Sequence, residues 1–379
     1  MFDYSERIES FREEKVRLST TFLEKLLAHR KANRDRLIAR LPDYIPGLTI
    51  NESNFKPQGS VAVRLVIQTR FEEEEYDIDD GLVLAKHELI DEYGNALSAD
   101  EVKRRVCAAL QDERFQKQPE IHHNCVRVFY SETDEEKHHV DFAVYRRFFV
   151  DNEKVRELAG ENGWNISDPT QVNFWFDNLA EDQNRKHDGC GTQLRHLIQL
   201  LKRFCRSRRG WDMPNGMKLT MLVAECQPAY GDRIDNVFRS LLEKLDDRLT
   251  NSKVIRNLAH PERPALTRTL ADQNVIDLHK RIKEALDQLR KLDSSSADNV
   301  ESARVAWDWI FQSDGFFAAF DAERDAEAKE KKQALLEKAA LVGAGARTSQ
   351  YGVLGAMGVQ NLPHRFYGPT HFNSKGSRR

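Results

Sequence analysis

Apolar positions near the start of the chain recur at helical steps. Ile8, Phe11, Leu18, Phe22, Leu26 and Leu37 make one stripe on a charged segment, so residues 4–41 read as a long helix stopped by Pro42 and Pro46. The pattern breaks at Lys15, and a coiled-coil arm is the competing reading. After Leu48-Thr49-Ile50 the period falls to two. A strand ends in Leu82-Val83-Leu84, a second runs from Cys125 to Tyr130, and His139 to Tyr145 alternates with Val140, Phe142 and Val144 on one face. Between the first two strands, Asp100 to Leu110 predicts an amphipathic helix capped by Ser98, with Val102, Val106 and Leu110 on one side. Val61 to Thr69 fits helix or strand equally, and Phe71 to Glu75, with four consecutive glutamates, reads as a solvated loop.

The second half is helical. Thr192 can cap a helix whose Leu194, Leu197, Ile198, Leu201, Phe204 and Cys205 share a face, while Arg195, Gln199, Lys202 and Arg206 line its flank. Asn257-Leu258-Ala259-His260-Pro261 reads as a helix break. Helices are expected at Gln273 to Leu292, carrying Ile276, Ile282, Leu286 and Leu289, and near Ala303 to Phe311, with Ser294-Ser295-Ser296 as the linker. Ala322 to Leu341 is a charged, alanine-rich helix, and Val342 to Arg379 is a Gly-, Ser- and Asn-rich tail without a core of its own.

The candidate chemistry sits in the strands. Alternation puts Asp77 and Asp79 on one face of Tyr76-Asp77-Ile78-Asp79-Asp80-Gly81 and Ile78 on the other. Two neighbouring carboxylates repel unless a hard divalent cation bridges them, so the pair reads as a Mg²⁺ site, against the plainer reading of a solvated acidic turn. Asp141 is a third carboxylate, the only acid in an otherwise apolar strand. Just upstream of the pair, Gln58-Gly59-Ser60 offers a turn whose backbone N–H groups and hydroxyl can approach a phosphate.

Gly-Ser, an Asp-x-Asp strand and a later third Asp resemble the polymerase-β-like nucleotidyltransferases. The wording Gln-Gly-Ser, Tyr-Asp-Ile-Asp-Asp-Gly and His-Val-Asp-Phe is similar to the cGAS/DncV-like nucleotidyltransferase (CD-NTase) family, in its bacterial cyclic GMP–AMP synthase branch of the DncV type. Trp164-Asn165-Ile166-Ser167-Asp168-Pro169, Trp175-Phe176 and the helix Leu194 to Cys205 extend the resemblance over about residues 55 to 320.

The resemblance implies an α+β, two-lobed enzyme. Residues 1–155 would be a spine helix and mixed-sheet catalytic lobe, 156–320 a helical lobe closing the nucleotide cleft, and 321–379 a charged helix and tail. It implies two Mg²⁺ ions, or Mn²⁺, on Asp77, Asp79 and Asp141, and donor phosphates held by Gln58, Gly59 and Ser60. Lys202 falls where the family has a phosphate-contacting lysine. Lys218 lies near a position that reads a base, where a donor-only side chain favours guanine O6 and N7, and Thr220 is its neighbour in that role.

The implied activity is condensation of ATP, GTP or other ribonucleoside triphosphates into a cyclic di- or trinucleotide acting through an effector in anti-phage (CBASS) defence. Linear oligonucleotide synthesis and nucleotidyl transfer to RNA or protein keep the same chemistry. A catalytically inactive nucleotide-binding module does not, and three retained aspartates argue against it.

Composition narrows the partners. The 379 residues are 40% hydrophobic and 31% charged, with a net charge of −3, which argues against stable coating of nucleic acid. No apolar run approaches a membrane span and the N-terminus lacks a signal pattern, so a cytoplasmic protein is expected. Cys107, Cys125, Cys190, Cys205 and Cys226 are scattered and suggest neither disulfides nor zinc. His122-His123 and His138-His139 read as surface pairs, because neighbours on a strand face opposite ways. In the tail, His364-Arg365-Phe366-Tyr367-Gly368 could dock a protein partner.

Overall fold

Ser19 divides the N-terminal helix in two. Its side chain accepts a hydrogen bond from the Phe22 N–H at 3.2 Å and starts α2 (Thr20–Tyr44). Before it, α1 (Ser5–Phe11) passes through a π-helical turn, Arg12–Val16, to an extended Arg17. The expectation of one continuous helix is therefore corrected. Pro42 does not stop the second piece either, since it lies in the last turn and the helix continues to Tyr44. This computed structural model describes residues 2–130, 137–294, 299–343 and the short stretches 347–348, 354–355 and 359–360. They form two compact units, Met1–Asp314 and Gly315–Arg379.

The first unit contains a seven-stranded sheet. Its strands are β1 (Phe55–Pro57), β2 (Tyr76–Ala85), β3 (Glu120–Ile121), β4 (Val126–Tyr130), β5 (His138–Val150), β6 (Glu153–Gly160) and β7 (Gly163–Ile166). The order is β1-β2-β5-β4-β3, with β6 on the far half of β5 and β7 on β6. β2 and β5 are parallel, and the other pairs are antiparallel. One face of the sheet is apolar. Tyr76, Ile78, Leu82 and Leu84 of β2, and Val140, Phe142 and Val144 of β5, are buried in one core with α2 and α4 (Ala99–Leu110). As expected, Ser98 caps α4 through the Glu101 N–H at 3.1 Å.

Asp80 is the polar exception on that inner face. It is fully buried, and the Arg34 guanidinium of α2 binds it with two hydrogen bonds at 2.6 and 2.7 Å. Removing either partner would leave a buried charge uncompensated, so the pair holds α2 to the strand in one register.

Val61 to Thr69 is neither a full helix nor a strand. One helical turn, α3 (Gly59–Ala62), gives way to irregular chain with an isolated bridge between Arg17 and Ile67.

Helices α5 (Gln171–Lys186), α6 (Cys190–Cys205), α7 (Gly216–Cys226), α8 (Ile234–Asn251), α9 (Gln273–Arg290) and α10 (Val300–Phe311) form the second lobe of this unit. The apolar face read for α6 is buried as expected, but Gly189 (φ 83°) precedes the helix in place of the expected Thr192 cap. α1 packs here: Phe11 lies 5.4 Å from Phe311, which stacks on Trp307, and the Tyr4 N–H donates to Asp235 of α8 at 3.0 Å. α2 packs on the sheet, with Phe22 4.8 Å from Tyr76. The two N-terminal helices thus serve different lobes, as a spine would.

The second unit carries α11 (Phe316–Gly343), the charged helix expected from Ala322 onward. The Ser294-Ser295-Ser296 linker from Ser295 and the His364–Gly368 segment lie outside the described residues. No described helix is long and apolar enough to cross a membrane.

Candidate active site

The parallel register of β2 and β5 builds the site. Asp77 stands beside His139 and Asp79 beside Asp141, so alternation places all four side chains on the face away from the core. Single oxygen or nitrogen atoms of Asp77, His139 and Asp141 lie within 4.8 Å of one another. Burial and the Asp77 and Asp141 charges push the Asp79 carboxyl up to about 7. The three aspartates are therefore together, as expected, and their charge is only partly compensated.

Gly59 completes the face. It has φ +65°, which L side chains rarely adopt, and a Cβ there would overlap the Asp79 carboxylate. The Gln58 N–H donates to the Asp79 carbonyl at 3.1 Å, fixing the Gly-Ser turn against β2. A Cβ on Gly81 would overlap the Gln58 side-chain amide, whose Oε1 accepts from the Tyr145 hydroxyl at 3.4 Å. Gln58 and Gly59 thus border Asp79, and Ser60 follows them in α3.

Three residues of the site were missed or misread in the sequence. Arg127, opposite Asp141 on β4, donates to both of its carboxylate oxygens, Nε at 2.8 Å and Nη2 at 2.7 Å. His139 is not a surface residue, being only 6% exposed. Its Nδ1 lies 3.2 Å from Glu75 Oε2, so Glu75 is not merely part of a solvated acidic loop. Burial works against a charged imidazole, yet Asp77 and Asp141 outweigh it and hold His139 above its ordinary value. His138 is also buried, 2.7 Å from His29 Nδ1 and stacked on Tyr130 in the opposite face of the sheet. His123, by contrast, is exposed as expected.

The basic flank of α6 is engaged by protein. Arg195 donates to the Val63 carbonyl at 3.3 Å, Gln199 to Arg64 at 3.2 Å and Lys202 to Leu65 at 2.6 Å. Three consecutive carbonyls after the Gly-Ser turn are held by one helical stripe, with Arg64 at φ 61° between its neighbours. Lys202 is buried against this segment: it is 7% exposed, and burial, with Arg206 nearby, pulls it down to about 7. It lines a cavity of about 470 Å³ with Arg206, Arg209, Trp211, Glu73 and Gly216, and none of the three aspartates lines that cavity. Lys218 pairs with Asp272 at 3.0 Å, and the Thr220 hydroxyl donates to the Gly216 carbonyl of its own helix at 2.8 Å. Both side chains are thus engaged by protein groups.

A mixed sheet presenting clustered aspartates beside a Gly-Ser turn, backed by a helical lobe, is the fold of the polymerase-β-like nucleotidyltransferases. Residues 53–145 match the family model described as the nucleotidyltransferase domain of cyclic GMP-AMP synthase DncV-like proteins. The chain's fold is that of Vibrio cholerae DncV cyclic AMP-GMP synthase, at TM-score 0.63 and 15% identity over 82% of this chain and 96% of that one. The complex of that enzyme with the linear intermediate 5′ pppA(3′,5′)pG gives 0.64 and 15%, over 82% and 95%. A mutant of the V. cholerae di-nucleotide cyclase with ATP, GTP and 5MTHFGLU2 gives 0.64 and 15%, over 82% and 96%. No curated protein sequence matches the chain.

Proposed function

We propose that the protein condenses ribonucleoside triphosphates, ATP and GTP among them, into a cyclic di- or trinucleotide, a messenger read by an effector in anti-phage defence. The observation that carries this reading is the register of β2 against β5, which sets Asp77, Asp79 and Asp141 on one face beside Gly59. The donor set fits a divalent cation, because Asp79 is pushed up to about 7 by burial and by the two neighbouring carboxylates, a repulsion that a cation relieves.

Asp77, Asp79 and Asp141 would hold two such ions, Mg²⁺ or Mn²⁺, which when bound acidify an acceptor ribose hydroxyl and neutralise the departing pyrophosphate. The remaining work falls to the chain's own groups. Ser60 and Gln58 steady the donor phosphates, and Gly59 keeps the turn free of a side chain where it meets Asp79. Arg127 orients Asp141 through both carboxylate oxygens. Lys202 would exchange the Leu65 carbonyl for a phosphate oxygen when the cleft fills. A linear intermediate turned around in the same cleft would then close the ring, and the V. cholerae enzyme has been seen with such an intermediate.

The test is incubation with all four ribonucleoside triphosphates and a divalent cation, followed by phosphatase treatment and mass spectrometry. A phosphatase-resistant cyclic product is expected. Products that lose terminal phosphate would point to linear synthesis.

A further inference from the structure

His139 has the surroundings of a metal-bound imidazole. Its Nδ1 faces a carboxylate, Glu75 Oε2 at 3.2 Å, and its Nε2 faces the catalytic carboxylates. Nε2 is buried and lies 3.0 Å from Asp77 Oδ1, yet it is not aligned for a hydrogen bond and makes none. A carboxylate behind one ring nitrogen fixes the tautomer and the ring plane, leaving the other nitrogen to donate its lone pair. The β2–β5 pairing keeps that nitrogen in place, because Asp77 and His139 are register partners on two adjacent strands of the sheet.

We propose that His139 is a cation ligand of this face, together with Asp77 and Asp141, and that it turns the site's preference from Mg²⁺ toward a borderline divalent cation such as Mn²⁺. The proposal rests on the carboxylate cation site argued above. Mg²⁺ takes oxygen ligands and keeps several waters, whereas an imidazole nitrogen suits a transition metal. Asp141 does not have to release Arg127 to take part, since each carboxylate oxygen keeps a second lone pair.

The full-length protein is titrated with Mn²⁺ alone, free ion being followed by EPR, and then with Mg²⁺ as competitor. Electron spin-echo envelope modulation of the bound Mn²⁺ reports a directly bonded nitrogen. Nitrogen coupling is expected in the wild type and absent in His139→Gln, which should bind Mn²⁺ roughly tenfold more weakly with Mg²⁺ affinity little changed. Glu75→Gln should keep the coupling and weaken Mn²⁺ binding. Bound Mn²⁺ without nitrogen coupling in the wild type overturns the proposal whether or not any variant folds, as does His139→Gln with unaltered Mn²⁺ affinity. The Asp77→Asn variant separates the two levels: if it too binds Mn²⁺ unchanged, the carboxylate site is wrong, whereas if it loses Mn²⁺ and the wild type shows no nitrogen coupling, only the role of His139 falls.

Discussion

Arg127 grips Asp141 in a two-pronged hydrogen bond, Nε to Oδ1 at 2.8 Å and Nη2 to Oδ2 at 2.7 Å. The guanidinium side chain is 25% exposed and the carboxylate side chain 9%, so part of the interaction is screened and part is not. Replacing Arg127 by Gln leaves a nearly buried carboxylate beside two others, at a cost of roughly 1–3 kcal/mol in the metal-free protein. Divalent cation should return part of that loss by supplying positive charge to the same face. Urea unfolding with EDTA and with excess Mg²⁺ checks this, and an equal loss in both conditions would contradict it.

Gly59→Ala should be costly for its size. The residue sits at φ +65°, where a Cβ adds roughly 1–2 kcal/mol, and that Cβ also overlaps Asp79. Either the turn or the carboxylate must move, so nucleotidyl transfer should fall by at least about tenfold. A pyrophosphate-release assay on the folded variant decides the matter, wild-type turnover being the contrary result.

Asp79 makes the metal-free protein sensitive to pH. Burial and its two acidic neighbours raise the folded value to about 7, so the native state holds a proton that the unfolded chain has lost. Its contribution to stability is full below about pH 4 and disappears as pH rises through 7. Asp79→Asn should flatten that part of the stability profile, leave the melting temperature in EDTA at neutral pH unchanged or higher, and abolish turnover. Thermal scans across this range in EDTA, paired with product assays, measure all three.

Lys202 works in the opposite pH range. Burial lowers the folded value to about 7, so between there and the ordinary lysine range the unfolded chain holds a proton that the native state does not. Stability attributable to this residue therefore rises with pH above 7, and Lys202→Met should remove the rise. If phosphate takes the place of the Leu65 carbonyl, nucleotide binding near pH 8 should draw a proton onto the amine. Calorimetry in two buffers of different ionisation enthalpy detects that uptake; identical heats would return Lys202 to a structural role.

The alternation of Asp77, Ile78 and Asp79, and of Val140, Asp141 and Phe142, was sufficient to separate acid face from core. A strand's period of two needs no knowledge of its neighbours. Ser98 as a cap and the apolar face of α6 were legible for the same reason: each depends on residues within a few positions. What remained hidden depends on partners far away in sequence. His138 and His139 do point to opposite faces, as reasoned, but which of those faces are covered is decided by α2 on one side and the carboxylates on the other. Arg127 meets Asp141 only because β4 pairs with β5 in that register, and no local pattern specifies it. The burial of Lys202 was not legible, because the Leu65 carbonyl that accepts its hydrogen bond comes from a segment whose path the sequence left open between helix and strand. The sequence determined the residues of the acidic face, but the long-range strand pairing and lobe packing decided which charges there are compensated, because burial and electrostatic interaction depend on distance in space.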